Sequence, residues 1–299
     1  MEIEVWVSDD ASTDRTSEVM REFEGDNRVR FTRQESNRGI AANAGWVMEQ
    51  PETDFLVRLD SDDILEADYC RTLSELLLAH TSAGVAHCNI AEINEKGVLR
   101  RVRRLARQQV FEDGDTAFQQ SIHGYKVAAN ICMFRKEYLR SLPFIYRTKM
   151  NFCEDWDLFV RLAIQGFGNA HSRNTLAKYR VWSDAGGYRK GRKIAELIGI
   201  QRMFTETIEP EWHTRKLDSA SVTLARKSLA LNHLAALQHV PKSSSEFETI
   251  LDILAQLARL DIGEIEAILK NRRRWQWLTN SRNYLSATAK DLVKRIAYR

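Results

Sequence analysis

Twice near the start of the chain, an apolar run stops on a cluster of aspartates. Glu2 to Ser8 alternates around Val5 and Val7 and breaks at Asp9-Asp10; Asp54 to Leu59 breaks in the same way at Asp60-Ser61-Asp62-Asp63. Short β-branched runs bounded by polar clusters read as strands. Between and after them lie helical patterns: Thr13 to Phe23, with Ser12 or Thr13 as cap and Asp14 in the first turn, and Ala67 to His80, with Leu73, Leu76, Leu77 and Leu78 on one side. Asn37 to Gly45 reads as turn-rich, with a helix after it to Glu49. Strands that alternate with helices from the outset predict an α/β fold with a mostly parallel sheet and helices on its faces. In such sheets functional groups collect on loops at the carboxyl ends of strands, where both acidic clusters fall.

Further along, Gly84–Ile93, Val127–Phe134 and Leu176–Trp182 read as strands, and Glu154–Gln165 as a helix with Leu158, Phe159, Leu162 and Ala163 on its apolar side. After Gly187 only helical patterns remain: Ile194–Phe204, Ala220–Leu237, Glu246–Leu260 and Ile262–Leu269. The expected organisation is an α/β domain over 1–187 and a helical extension over 188–299. With 4 Pro and 14 Gly in 299 residues, long low-complexity stretches are not expected.

Asp60 and Asp62 are two residues apart at a strand end, so their carboxylates can face one site. Hard oxygen ligands of this kind suit Mg²⁺ or Mn²⁺, commonly completed by substrate phosphates. The bland alternative is a solvated acidic turn. In the run Asp9-Asp10-Ala11-Ser12-Thr13-Asp14, a carboxylate can accept from a uracil N–H or from ribose hydroxyls; the bland alternative is a helix cap. A third acidic group, Glu154-Asp155-Trp156-Asp157, opens a helix. Acids are common there because of the helix dipole. The same dipole would keep a carboxylate ionised for general-base work.

Taken together, the runs VSDDASTDRT, NRGIAANAG, LVRLDSDDIL and FCEDWDLFVRLAIQGFG resemble glycosyltransferase family 2, the inverting family with the GT-A fold, over residues 3–182. The resemblance implies a Rossmann-like sandwich with one nucleotide-sugar site, a UDP-linked donor, and a glycan or lipid-linked acceptor. Carried over, Asp10 or its neighbour Asp9 would contact the base or ribose, Asp60 would lie near the ribose, and Asp62 would bind the divalent ion on the diphosphate. Asp155 would be the base, Glu154 and Trp156 would shape the acceptor side, and Arg161 would be a structural ion-pair partner.

The sequence departs from the family pattern in places. The chain opens on what would be the family's second strand, so the expectation is a domain lacking the usual first strand and a half-built nucleotide pocket. Asn37–Gly45 is shorter than the family spacing, which leaves Arg38 and Asn43 without nucleotide roles. Where members often carry a metal-approaching His in Y-R-x-H, this chain has Tyr179-Arg180-Val181-Trp182. An inactive glycosyltransferase-like fragment or binding module is therefore the second hypothesis. A two-metal phosphoryl-transfer enzyme is a third, weakened by the lack of a Gly-rich loop with Lys.

A net charge of +3 gives no case for nucleic-acid binding. Cys70, Cys88, Cys132 and Cys153 form no C-x-x-C pair, so buried thiols in a reducing compartment are expected rather than zinc or disulfides. The opening MEIEVWVSDD lacks a basic start and an apolar middle, and a cytoplasmic location is the expectation. Residues 271–299 hold eight Lys or Arg against one acid, Asp291, with Trp275, Trp277 and Tyr284. Such a stretch reads either as peripheral contact with an anionic membrane or as a solvated face packed through its aromatics.

Overall fold

The computed structural model describes residues 2–105, 109–124, 127, 131–150, 152–183 and 191–281, with backbone only for 236, 238, 239 and 272–281. Its described residues divide into two compact units, 1–225 and 226–299.

The first unit contains two sheets. Strands β1 (Val5–Asp9) and β2 (Val29–Arg33) pair in parallel and are joined by α1 (Thr16–Arg21). The larger sheet follows the order β3 (Phe55–Leu59), β8 (Ile131–Arg135), β5 (Ala83–Ile93), β9 (Gly168–Arg180), β4 (Ile64–Leu65). At its margins β6 (Leu99–Arg103) pairs with β5, and β7 (Phe111–Glu112) with β9.

The expectation of a mostly parallel sheet needs correction. Among the described residues only β5–β9 is parallel in the large sheet; β3–β8, β5–β8, β4–β9, β5–β6 and β7–β9 are antiparallel. The short strands β4, β6 and β7 add antiparallel partners that need no helical crossover. Because β3 and β5 both run against β8, and β9 runs with β5, the three strands β3, β5 and β9 still point one way, and their carboxyl ends share one edge.

The sheet separates two apolar cores, and side chains of β8 alternate between them as a pleat requires. Cys132 and Phe134 face Met48 of α2 (Ile40–Glu49), Leu139 of α5 (Lys136–Arg140) and Leu158, Phe159 and Leu162 of α6 (Glu154–Ile164). Ile131 and Met133 face Tyr69, Leu73 and Leu77 of α3 (Tyr69–Ala79). Strand β5 is buried along its whole length, as the middle of a two-faced sheet should be.

Several element boundaries differ from the sequence reading; the first helix, for example, is Thr16–Arg21 rather than Thr13–Phe23. Helix α2 begins at Ile40, inside the stretch read as turn-rich. Gly39 turns the chain at φ 84°, and the alanines that follow favour helix. Strand β9 begins at Gly168 rather than Leu176, because its polar first half is ordered by pairing with β5 from Ala83 onward. Gly168 is required there: a Cβ would lie 2.1 Å from the Glu112 carbonyl oxygen. The strand read from Val127 is seen from Ile131; 128–130 lie outside the described residues.

The first compact unit also extends past the expected boundary at 187. Helix α7 (Lys193–Arg202), a π-helical turn over Met203–Ile208 and α8 (Glu209–Thr214) bury Leu197, Met203, Phe204, Ile208 and Trp212. Phe204 meets Trp156 edge-on at 5.9 Å, and Trp212 lies 5.7 Å from Phe118 of α4 (Gly114–Ser121). Helix α9 (Ser219–His233) spans the division between the units. In the second unit, α10 (Ser245–Ala258) is capped by Ser244, ends at Arg259 with φ 55°, and buries Ile250, Leu254 and Leu257; α11 (Ile262–Ser281) follows. Among the described residues no helix is long and apolar enough to cross a membrane.

Candidate active site

The site grows from strand β3. Its alternation turns Leu56 into the core beneath α6, and two residues later turns Arg58 the same way. Arg58 is buried at 9% exposure and lies over the Tyr146 ring at 5.5 Å. Its Nη1 donates to Asp155 Oδ1 at 2.6 Å and to the Tyr146 hydroxyl at 3.0 Å; Nη2 donates to Asp60 Oδ1 at 3.2 Å. Asp60, at the end of β3, and Asp155, in the first turn of α6, therefore meet at one guanidinium. The Tyr146 phenol is held well above its usual range, first by burial and then by the Asp155 charge, so it is neutral. Neither Arg58 nor Tyr146 stands out in the sequence, although the Leu56, Arg58, Asp60 row at period two was a signal for the arginine.

Asp62 and Asp63 continue the loop. The Asp62 carboxylate accepts from the Trp182 indole N–H at 2.6 Å, and its carbonyl accepts from Arg180 Nε at 2.9 Å. Trp182 thus occupies the place of the family histidine and hydrogen-bonds Asp62. Asp63 is buried and accepts the Arg180 backbone N–H at 2.7 Å. Burial pushes its carboxyl up to about 7, with the Asp62 and Asp60 charges adding to the effect. Burial also raises Asp60, against the pull of Arg58. Negative charge is thus crowded at this loop, an environment that favours a cation. Among the described residues no three His, Cys, Asp or Glu cluster as a ready metal cage. The donor set fits an ion held by one carboxylate and completed by phosphates and water.

The Asp9-Asp10 loop is arranged differently. Asp9 is buried; its Oδ1 accepts the Ser12 N–H at 3.0 Å, and Oδ2 lies 3.4 Å from the Arg33 guanidinium without hydrogen-bond geometry. Asp10 accepts the N–H groups of Arg38 at 2.7 Å and Gly39 at 2.9 Å, at the entrance to α2. Asn43 hydrogen-bonds the Ser8 carbonyl at 3.0 Å, tying α2 to β1. Both carboxylates serve local backbone in this structure.

Trp156 and Glu154, expected on the acceptor side, are both buried. Trp156 is 6% exposed, and its indole N–H donates to the Ser121 carbonyl at 3.1 Å. Helical spacing rotates it toward α4 and the core. Glu154 is also buried, and burial raises its carboxyl. Two residues after Asp155, and so on the opposite side of α6, Asp157 is fully buried and accepts from Arg147, from Arg161 at 2.8 Å and from Thr207 at 3.0 Å. Arg161 is therefore an ion-pair partner of Asp157, as its helix position suggested.

Residues 1–142 match the family model for Glycosyl transferase family 2. A stretch of 94 residues is 34% identical to the glycosyltransferase GlyA of Streptococcus pneumoniae serotype 4, covering 31% of this chain and 13% of that protein. Among solved structures, S. aureus TarS 1-349 in complex with UDP-GlcNAc superposes with a TM-score of 0.53 at 14% identity, covering 91% of this chain and 82% of that one. The mannosyltransferase PcManGT of Pyrobaculum calidifontis, in complex with GDP-Man and Mn²⁺, gives 0.52 at 20% identity, covering 91% and 73%.

Proposed function

We propose, on the match of residues 1–142 to the Glycosyl transferase family 2 model, that the chain moves a sugar from a nucleotide donor, UDP-linked, to a hydroxyl of a glycan or lipid-linked acceptor with inversion. The observation that carries this reading is the meeting of Asp60 and Asp155 at Arg58. It supports a donor-side carboxylate and a base candidate at the rim of one cleft. Asp155 keeps about a third of its side chain exposed, as a base that must reach substrate should.

In this mechanism Asp155 takes the proton of one acceptor hydroxyl as its oxygen bonds to the anomeric carbon. The bond from that carbon to the diphosphate oxygen breaks, and the nucleoside diphosphate leaves. One displacement inverts the centre, so no covalent intermediate with the protein forms. Asp60 lies on the ribose side, and Asp62 would hold Mg²⁺ or Mn²⁺ with the donor diphosphate; such an ion offsets charge on the departing diphosphate. Asp155→Asn keeps size and removes the basic oxygen. Turnover should fall ~10²-fold or more with donor binding nearly intact. Wild-type turnover in this variant would overturn the reading.

A second reading, a binding module without turnover, draws on the Asp62 oxygen taken up by Trp182 and on Asp10 occupied by amides. Calorimetry showing Mn²⁺-dependent UDP binding, with no nucleotide release from any donor, would favour it. On composition alone, peripheral contact at the cytoplasmic face of a membrane is assigned to 271–299. Side chains from 272 lie outside the described residues, and co-sedimentation with anionic vesicles, lost on deleting that stretch, tests it.

A further inference from the structure

Resting on the reading of Asp155 as the base, we infer that Arg58 is a positioning residue: its guanidinium commits one Asp155 oxygen to the fold, leaves the other to take the acceptor proton, and fixes the base relative to the donor loop. The groups differ in exposure in the way this requires. The Arg58 side chain is 9% exposed, whereas Asp155 is 30% and Asp60 43% exposed. The cation thus lies behind, and the two carboxylates emerge on the solvent side, Asp60 from the end of β3 and Asp155 from the first turn of α6.

A guanidinium bond at 2.6 Å lowers the basicity of the oxygen it holds, so the proton is taken by the other Asp155 oxygen. The planar fork also sets direction. Nη1 serves Asp155 and Tyr146 while Nη2 serves Asp60, so rotating one carboxylate strains the hold on the other. Arg58 Nε is buried without a hydrogen-bond partner. A residue kept only for stability would seldom leave a buried donor unmet, since that costs free energy. A lysine at this position supplies the charge but not the fork.

The test is a double-mutant cycle of Arg58→Lys with Asp155→Asn, followed by nucleotide release from UDP-GlcNAc or GDP-Man, whichever the wild type cleaves faster. Arg58→Lys alone should lower kcat by ~10–10²-fold, the scale on which a slightly misplaced group loses rate, with acceptor KM little changed. In the Asp155→Asn background the same substitution should change kcat by less than about twofold, because groups that act as a unit are not additive. Multiplicative effects would overturn the inference. An Asp155→Asn variant that turns over normally would instead overturn the base assignment, a separate result. Should Arg58→Lys fail to fold, Tyr146→Phe, which removes only the hydroxyl that Arg58 also holds, takes its place with a several-fold effect and the same sub-additivity. A crystal structure of whichever of these two variants folds needs no substrate: the Asp155 carboxylate should turn away from its present orientation, and an unmoved carboxylate would overturn the proposal.

Discussion

The Asp9-Asp10 loop closes the small β1–β2 sheet, and its carboxylates are met by amides within 29 positions in sequence. The Asp60–Asp63 loop closes β3 of the large sheet, and its groups are met from across the fold: Asp60 shares Arg58 with Asp155, Asp62 meets Trp182, and Asp63 meets Arg180. The surroundings differ as well. Strands β1 and β2 leave Val5 and Phe31 exposed, whereas the large sheet is packed on both faces. A carboxylate that holds its own loop together shapes local structure. One whose partners come from distant elements gathers those elements at one point, and the chemistry is proposed there.

This contrast can be broken or sharpened. The largest effect is expected at Asp62: Asp62→Ala should weaken Mn²⁺-dependent UDP binding by roughly 10–100-fold, a scale reached even when a supporting partner of a metal ligand is lost. Calorimetry that finds unchanged metal-dependent binding would remove Asp62 from the site. Asp10→Ala should behave in the opposite way. It strips two amides at the start of α2 and should cost ~1–2 kcal/mol in urea unfolding, as lost helix caps do. If it instead weakened UDP binding as much as Asp62→Ala while leaving stability intact, the division between the loops would collapse.

The smallest effect concerns Asp63. Its carboxyl is raised in the folded protein to about 7, chiefly by burial, so the folded state keeps a proton that the unfolded chain releases near pH ~4. Its contribution is therefore greatest below ~4 and is lost as pH rises toward about 7. Asp63→Asn should flatten the decline in urea midpoint across that window. An unchanged slope would show that Asp63 ionises in the folded state as it does in the unfolded chain.

Much of the architecture was legible because it is written in local periodicity. The runs ending at Asp9 and Leu59, the helix from Glu154 and the long strand to Ile93 all carry their own pattern. What was not legible depends on partners. The first half of β9, Gly168 to Thr175, has no alternation and is a strand because β5 lies beside it. The helices over 193–214 read as a separate extension, yet they complete the apolar surroundings of Trp156 and Phe118. For the candidate site, Asp60, Asp62 and Asp155 could be picked out by motif. Trp156 could not be turned inward without knowing that α4 lies against it. Arg58 has no motif of its own; a cation in an apolar strand becomes meaningful once both of its carboxylates are seen.

The Asp157 cluster has a consequence for motion. A buried carboxylate held by Arg161 of its own helix and by Arg147 and Thr207 from two other segments adds little net stability, but removing the carboxylate would leave buried cations without their anion. Helix α6 should therefore resist rolling about its axis in small steps and open only together with the π-helical turn that carries Thr207. Its amides should exchange with solvent only through that larger opening, on the slow end of the molecule's range. On the proposed role of Asp155 as the base, its carboxylate should stay in place through a turnover, so that substrate entry and release fall to the loops around it.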